Sequence, residues 1–370
     1  MMFSHSSSRL FQCGARTAAF GVAIASLVGQ DTSIRLAKPQ NVFFYPQVNI
    51  HGGYESGESR DRWGLANRGP QTQVAFELYQ KAETRLQRGY TRSIEPLAWS
   101  VKWALELDPD EQGVSDAVLR PRLYDSWLEL DTKWDRTSLW VGHKQIPYGH
   151  NPRVDPNHSF LPNQAALDLN FGRDTGLFFL TPVTSTIDVE MSLTVGKGDT
   201  WDYHGGWLYT ARFGSPTFEA SEIGVFALVG SIQETSGSVT TSRTLTDVVR
   251  LGSDWVYKVR EQARIVNQIS VGANRGGGTE DLVVANMLNS IEWFVRSRMT
   301  VGLTHALSVK DFDGSTLETD KRGILMASVS LAVGRDVRFR INPFVEYLDS
   351  TGKEDWGVLF QFCYGCGLTK

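Results

Sequence analysis

Apolar and polar residues alternate with a period of two along most of this chain, beginning near residue 45. From Val337 to Tyr347 every odd position is apolar, whereas the even positions include Arg338 and Glu346. Residues two apart in a β-strand point to the same face, so one face of this segment is apolar and the other is ionic. The same pattern recurs from Leu97 to Leu107. The sequence therefore predicts an all-β protein.

Sixteen segments with this alternation can be counted in the sequence. Most have about ten residues, the length that a tilted strand needs to cross the hydrocarbon layer of a bilayer. An even number of such strands can close into an antiparallel barrel without a free edge. The predicted fold is thus all-β, a sixteen-stranded antiparallel transmembrane β-barrel of the outer-membrane porin type. The segments begin near Gln47, Val74, Leu97, Leu123, Thr137, Gly176, Ile187, Trp207, Ile223, Val248, Ala263, Leu282, Met299, Gly323, Val337 and Trp356.

The connections between these segments alternate between long and short. Outer-membrane barrels have long external loops and short periplasmic turns, so with both termini in the periplasm the long connections follow the odd-numbered strands. The predicted loops are Glu55 to Gln73, Asp108 to Arg122, Gly149 to Arg173, Glu234 to Asp247 and Asp311 to Arg322. The predicted turns are Asp135-Arg136, Arg260 to Gln262, Arg296 to Arg298 and Gly334 to Asp336. The stretch from Thr84 to Pro96 is long where a turn is expected.

Other architectures fit this pattern less well. Beyond the N-terminus no stretch offers the roughly 20 consecutive apolar residues that a membrane-spanning helix needs, which excludes a helical membrane protein. A soluble β-sandwich or soluble barrel also alternates, and alternation does not reveal which face is outside. Aromatic residues near the strand ends favour the membrane, because aromatic girdles mark both of its interfaces. The formal net charge of -4 lacks the basic footprint of a nucleic-acid-binding protein.

The N-terminus has the pattern of an export signal. Arg9 and Arg16 precede a small and apolar run from Ala18 to Val28, which includes the cleavage pattern Ala23-Ile24-Ala25. We expect residues 1–30 to be a cleaved signal peptide and residues 31–370 to form a single barrel domain in the bacterial outer membrane. A buried core helix is the alternative for the N-terminal run.

Two cysteines would remain after cleavage, Cys363 and Cys366. Two cysteines are too few for a disulfide framework, which fits an envelope protein that folds without one. They would form a local disulfide or a pair without function. A redox or metal-binding role is less in keeping with their context, because no thioredoxin-like βαβ pattern surrounds them.

Two short motifs lie between Leu123 and Leu180. Gly142 to Gly149 read G-x-x-x-x-P-Y-G, and Arg173 to Gly176 read R-D-T-G. This stretch resembles the phosphate-selective porin O and P family, in which a hairpin that ends in G-x-x-x-x-P-[FY]-G is followed by an R-D-x-G segment. The resemblance implies a trimeric, anion-permeable porin. The last strand of such porins usually ends the chain on an aromatic residue, whereas here Phe360 and Phe362 are followed by Cys363 to Lys370.

If the apolar face lies against lipid, the polar face lines a lumen. Acidic and basic residues are nearly balanced on that face, and the charge at the narrowest part decides which ions pass, so weak selectivity is expected. The predicted pore-lining residues are Lys102, Lys133, Lys144, Arg212, Arg250, Arg338 and Arg340. The connection from Gly149 to Arg173 either folds into the pore as its constriction or lies outside as a surface loop. Its charged candidates are Arg153, Asp155, His158 and Asp168.

The predicted function is passive diffusion of small hydrophilic solutes, with a weak preference for anions such as phosphate. The expected partners are outer-membrane lipid, small ions or anionic solutes and further copies of the chain in a homotrimer. No nucleic acid, cofactor or metal is expected. A barrel without channel activity, as a receptor or structural protein, is the alternative. A barrel hydrolase is a weaker one, because no histidine accompanies a recognisable nucleophile motif, so no catalytic residue is predicted.

Overall fold

The computed structural model describes the barrel strands and many of their connections. The described residues are 42–56, 62–65, 72–81, 96–110, 113–131, 137–151, 168–169, 171–198, 203, 205–216, 221–233, 245–260, 262–276, 279–312, 320–333, 337–348 and 353–365. The predicted signal peptide lies outside them. So do four of the predicted site residues, Lys133, Arg153, Asp155 and His158, and also Cys366.

Strands make up nearly all of the described chain. Their bounds are β1 (Val42–Glu55), β2 (Arg62–Leu65), β3 (Thr72–Lys81), β4 (Pro96–Asp110), β5 (Gly113–Asp131), β6 (Ser138–Gln145), β7 (Arg173–Pro182), β8 (Asp188–Thr194), β9 (Trp207–Gly214), β10 (Glu222–Gln233), β11 (Leu245–Val259), β12 (Ala263–Gly276), β13 (Thr279–Arg296), β14 (Met299–Phe312), β15 (Asp320–Val333), β16 (Val337–Leu348) and β17 (Lys353–Tyr364). Each of the sixteen predicted segments corresponds to one strand, and β2 is additional.

The strands form one closed antiparallel barrel. From β3 to β17 each strand pairs with the next along the chain, and β1 closes the sheet by pairing with both β3 and β17. The short β2 pairs with the end of β1, opposite Gly52 to Glu55, so sixteen strands build the wall. Closure leaves no wall strand as a free edge of the sheet, which the hydrocarbon layer requires of a spanning β-structure. The predicted sixteen-stranded barrel is therefore confirmed.

The two ends of the barrel differ in their connections. At the end where β1 begins and β17 ends, β11 joins β12 through residues 260–262, and β13 joins β14 through 297–298. At the opposite end, 27 residues separate Gln145 from Arg173 and 11 separate Gln233 from Leu245. These four connections match the predicted alternation of long and short, whereas residues 277–278 join β12 to β13 at the opposite end as a short connection. The end with the short turns is called the turn end below, and the other is called the loop end.

Two predicted loops contain more strand than expected. Most of the predicted loop from Asp108 to Arg122 belongs to β4 and β5, which continue as a hairpin to Asp110 and from Gly113. The predicted loop from Glu55 to Gln73 contains β2. Beyond the lipid, neither face of a strand needs to be apolar, so a hairpin can extend there without the alternation by which strands are recognised.

The outer face of the barrel is apolar along its strands. On β10, Ile223 is 68% exposed and Val225 is 53% exposed, whereas the intervening positions point inward and are buried. On neighbouring β11, Leu251 is 62% exposed, opposite Ala227 of β10. So large an exposed apolar surface fits contact with lipid, and would be unusual for a protein surrounded by water. In the part of the chain that the structure describes, no helix is long and apolar enough to span a membrane.

The connections make the orientation of the barrel testable. An epitope tag inserted between β10 and β11, at the loop end, is expected to be reached by antibody on intact cells, because long connections of outer-membrane barrels face outward. A tag between β13 and β14, at the turn end, should be reached only after the cells are permeabilised. Surface labelling of the second tag, with none of the first, would reverse the orientation.

Candidate functional site

The described residues of the connection between β6 and β7, 146–151, 168–169 and 171–172, lie inside the barrel and are called the docked segment below. The backbone N–H of His150 donates to Oε1 of Gln268 at 2.9 Å, and the hydroxyl of Tyr148 lies 2.9 Å from Oγ of Ser270. Gln268 and Ser270 point inward from the middle of β12, and both are buried. Because β12 is five strands away from β7 around the wall, the connection can reach these side chains only through the lumen.

Tight packing fixes the path of this segment. Gly149 has a φ of +53°, and a Cβ atom placed there would lie 2.4 Å from Oε1 of Gln268, so another residue would strain the backbone and displace the Gln268 side chain. Asn151 holds the two ends of the segment together, because its Nδ2 donates to the carbonyls of Ile146 and Gly172 at 2.7 Å each. The segment is therefore docked against the wall at its near end and closed at its base.

Apolar contacts bury the docked segment against the inner wall. The ring of Tyr148 packs on that of Phe226, with 4.8 Å between the ring centroids, and Tyr148 is fully buried. The segment contributes Ile146, Tyr148, Leu169 and Phe171 to this cluster, and the wall contributes Phe178, Leu208, Phe226, Leu228, Ile232 and Val248. Several inward positions of β10, Phe226, Leu228 and Ile232, are thus apolar like its outer face. Over these residues β10 lacks the alternation of apolar and polar side chains.

An ion pair joins the far end of the segment to the wall. Asp168 accepts hydrogen bonds from Nε and Nη2 of Arg250, at 2.9 and 2.8 Å, and both side chains are almost completely buried. The hydroxyl of Tyr148 donates to Oδ2 of the same carboxylate at 2.6 Å. Burial, reinforced by the Asp168 carboxylate, raises the pKa of the Tyr148 phenol well above its ordinary value, so the donating proton is retained.

A second ionic group lies beside the first. Arg212 of β9 donates to both carboxylate oxygens of Asp254, at 2.9 and 2.7 Å, and to the carbonyl of Ser215 at 2.8 Å. The imidazole of His150 approaches this group, with Nδ1 3.2 Å from Oε1 of Glu222 and 3.9 Å from Oδ1 of Asp254. Residues of β9, β10, β11 and the docked segment therefore share one buried polar cluster.

Other arginines of the barrel also pair with carboxylates. Such pairs are Arg122 with Glu106, Arg173 with Asp125, Arg264 with Glu292 and Arg322 with Glu346. A paired charge contributes little net field to the lumen. Many of the nearly balanced charges noted in the sequence are thus paired directly with each other. A net charge in the lumen therefore depends on the few residues that such pairs do not include.

Six of the predicted pore-lining residues lie on described strands. Arg212 and Arg250 point inward but are engaged with Asp254 and Asp168. Lys102 is buried, and its ammonium lies 5.5 Å from the ring centroid of Tyr124. The ammonium of Lys144 lies 4.7 Å from the ring centroid of Trp140.

Arg338 and Arg340 share the inward face of β16 near the turn end. Nη1 of Arg340 donates to Oε1 of Gln361 at 3.0 Å, and Nε2 of Gln361 donates to Oδ1 of Asn49 at 2.8 Å. Arg340 is 3% exposed, whereas Arg338 is only half-buried. Of the two guanidinium groups, that of Arg338 therefore has the better access to solvent in the lumen.

Of the predicted constriction residues, Asp168 is the one that the described chain includes. It lies inside the barrel on the docked segment. The sequence did not single out Tyr148, His150, Glu222 or Gln268 as functional, although Tyr148 and Gly149 belong to the motif Gly142 to Gly149. For Tyr148 and His150 the available signal was the length of the connection that carries them, 27 residues between Gln145 and Arg173, whereas Glu222 and Gln268 had no such signal.

Solved structures share this fold. OmpT of Vibrio cholerae in its trimer form superimposes with a TM-score of 0.61 at 11% identity, covering 88% of this chain and 98% of that one. An anion-selective porin from Comamonas acidovorans superimposes with a TM-score of 0.57 at 11% identity, covering 88% of this chain and 99% of that one. The outer membrane channel DcaP of Acinetobacter baumannii superimposes with a TM-score of 0.60 at 11% identity, covering 90% of this chain and 99% of that one. At this identity the similarity shows the porin fold alone.

No known protein family and no curated protein sequence matches this chain. Membership of the phosphate-selective porin O and P family therefore stays a prediction from the two motifs.

Proposed function

We propose that this chain is an outer-membrane porin through which small hydrophilic solutes diffuse passively. The observation that carries the proposal is the segment docked inside a barrel whose outer face is apolar. A segment fixed to one side of the lumen narrows it, and such a narrowing is the part of a pore that selects solutes by size and charge. Export through a signal peptide and residence in the outer membrane are part of the same proposal.

The docked segment also suggests where solutes pass. Its described contacts are with the β7 to β12 side of the wall, through Tyr148, His150 and Asp168. The path would then run along the opposite side, where Arg338 and Arg340 project from β16. We propose a weak preference for anions from these two residues, with phosphate as one candidate solute through the family resemblance. The homotrimer is proposed on the same resemblance and on the trimer form of OmpT.

A barrel without channel activity is the competing function. It differs from a porin in one direct measurement, the conductance of purified protein in planar bilayers. A porin is expected to give stepwise conductance increases, and their absence at repeated protein additions would favour a receptor or structural role. We propose no enzymatic activity, because the histidine that lies in the buried cluster, His150, adjoins carboxylates and an asparagine carbonyl and thus lacks the nucleophile that it would need to activate.

Anion preference is testable at Arg338. In a KCl gradient the wild-type reversal potential is expected to indicate weak anion preference, and exchange of Arg338 and Arg340 for Glu should shift it toward cations. Arg338→Glu alone should give most of that shift, because Arg338 is the more accessible residue and an inward charge attracts its counter-ion. High salt should weaken the effect by screening.

The control for this experiment is Arg296→Glu. It makes the same change of charge on an exposed residue at the turn end, the last residue of β13. We expect it to leave the reversal potential nearly unchanged. An equal shift from Arg296→Glu, or none from Arg338→Glu, would remove Arg338 from the conducting path while leaving the porin proposal intact.

A further inference from the structure

Three side chains capable of binding metal meet where the docked segment touches the wall. They are His150 on the segment, Glu222 at the start of β10 and Asp254 on β11, and they are 2%, 4% and 0% exposed. One ligand atom from each lies within 4.8 Å of the others. We call this group the His150 cluster.

The hydrogen bonds of His150 determine which ring nitrogen is available. Nε2 lies 2.8 Å from the backbone carbonyl of Asn267, which can only accept, so Nε2 carries a proton. In the neutral imidazole Nδ1 is then an unprotonated acceptor. Nδ1 is buried, has no hydrogen-bond partner, and points toward the carboxylates of Glu222 and Asp254. A lone pair that faces two carboxylates calls for positive charge at this point, supplied either by a proton on Nδ1 or by a metal cation.

The local charges also favour a cation. Besides Glu222 and Asp254, Glu190 approaches the cluster through Arg212, with 3.9 Å between Oε1 and Nη1. Three carboxylates thus face the one guanidinium of Arg212. Lys258 lies on the inner face of β11, and Lys144 of β6 interacts with Glu190, so the charge of Glu190 is shared with further cations. At the cluster itself a bound cation would lie directly against the two buried carboxylates of Glu222 and Asp254, where its charge is favoured.

We infer that His150, Glu222 and Asp254 bind one divalent cation of the zinc type. One imidazole nitrogen with two carboxylate oxygens is a ligand set that Zn²⁺ accepts, with bonds of about 2.0–2.2 Å. Ligands at tetrahedral angles on such bonds are about 3.3 Å apart. The distances from Nδ1 to the two carboxylate oxygens, 3.2 and 3.9 Å, are close to that value. Asp254 Oδ1 would also keep its hydrogen bond from Arg212, which orients the carboxylate.

Such an ion would fasten the segment to the barrel. It would connect His150 to two wall strands, and so hold in place the backbone of Tyr148 and Gly149. Metal binding itself does not depend on channel activity. Only its consequence for the width of the lumen rests on the proposed porin function.

The test is a metal titration of the full mature chain, refolded in detergent and stripped with a chelator. Competition with a chromophoric chelator is expected to show about one equivalent of Zn²⁺ bound per chain, and Co²⁺ in its place should give the visible absorption of a low-coordinate site. His150→Gln should weaken Zn²⁺ binding at least tenfold, and Glu222→Gln should weaken it as well. The matched control is His305→Gln, whose ring bonds Tyr347 on another part of the wall, and it should bind like the wild type.

Folding is checked for every variant by heat modifiability in gel electrophoresis. If a variant fails to fold, X-ray absorption on the Zn²⁺-loaded wild type decides, because it is expected to report one imidazole nitrogen and oxygen ligands. Absence of stoichiometric binding, or binding that His150→Gln leaves unchanged, would overturn the site and leave His150 as an imidazolium paired with Glu222. Conductance of the same wild-type preparation tests the porin separately, so the two proposals fail independently.

Discussion

Replacing Asp168 with Asn is expected to release the docked segment from the wall. The change leaves the shape of the side chain almost intact but removes the charge that Arg250 binds through two nitrogens. Loss of one partner from a buried ion pair costs about 3–5 kcal/mol, because the other charge stays buried without compensation. The docked population would fall more than about a hundredfold, since each 1.4 kcal/mol is a factor of ten. Arg250 would keep its bonds to the carbonyls of Val249 and Ala273.

Two measurements detect the release of the docked segment. Proteolysis of the folded barrel in detergent should cut the segment much faster in Asp168→Asn than in the wild type, and single-channel conductance should rise and become noisier. Asp188→Asn makes the same chemical change at the turn end of β8, away from the segment, and should alter neither. If Asp168→Asn left both protection and conductance unchanged, the pair with Arg250 would not be what holds the segment inside.

The sequence predicted the wall of this molecule well because the lipid imposes its pattern directly. An outward residue such as Leu251 must be apolar because it contacts lipid, whereas its inward neighbours need not be. The alternation therefore identifies each strand separately, even when the strands that pair with it are not known. Pairing then follows from closure, since each strand joins its neighbour in the chain. Strand ends were less predictable, as in β4 and β5, because the constraint stops where the lipid stops.

The interior was harder to predict because its contacts join residues that are distant in the chain. Parity along the strand placed Arg212 and Arg250 inward, but nothing in their surroundings indicated Asp254 or Asp168 as partners. The apolar inner residues of β10 broke the alternation for a reason that lies in another segment, around Tyr148. Likewise His150, Glu222 and Asp254 have no metal-binding spacing in sequence, and only the docking of the segment brings them together.

The strongest test of the membrane-facing surface is depth dependence at two positions on neighbouring strands. Leu251 lies near the middle of β11 and Ile223 near the turn end of β10, and both point outward with more than 60% of their surface exposed. Leu251→Arg is expected to reduce the free energy of folding into lipid by about 2–4 kcal/mol, whereas an arginine near the interface costs about 0–1 kcal/mol. Ile223→Arg is therefore the matched control.

Both substitutions place the same charge on an already exposed surface, so they distinguish lipid from water as its surroundings. In water an exposed Leu→Arg change seldom alters stability by more than about 0.5 kcal/mol, because no buried contact is lost. In a bilayer Leu251→Arg places a charge in the hydrocarbon centre, where its transfer from water is unfavourable. An arginine at position 223 can instead extend its guanidinium to the headgroups. Equilibrium unfolding in urea from lipid vesicles measures the folding free energy of both variants. Equal and small effects at Leu251 and Ile223 would place the apolar face in water and return the barrel to the soluble class, whereas a loss confined to Leu251 requires lipid around it.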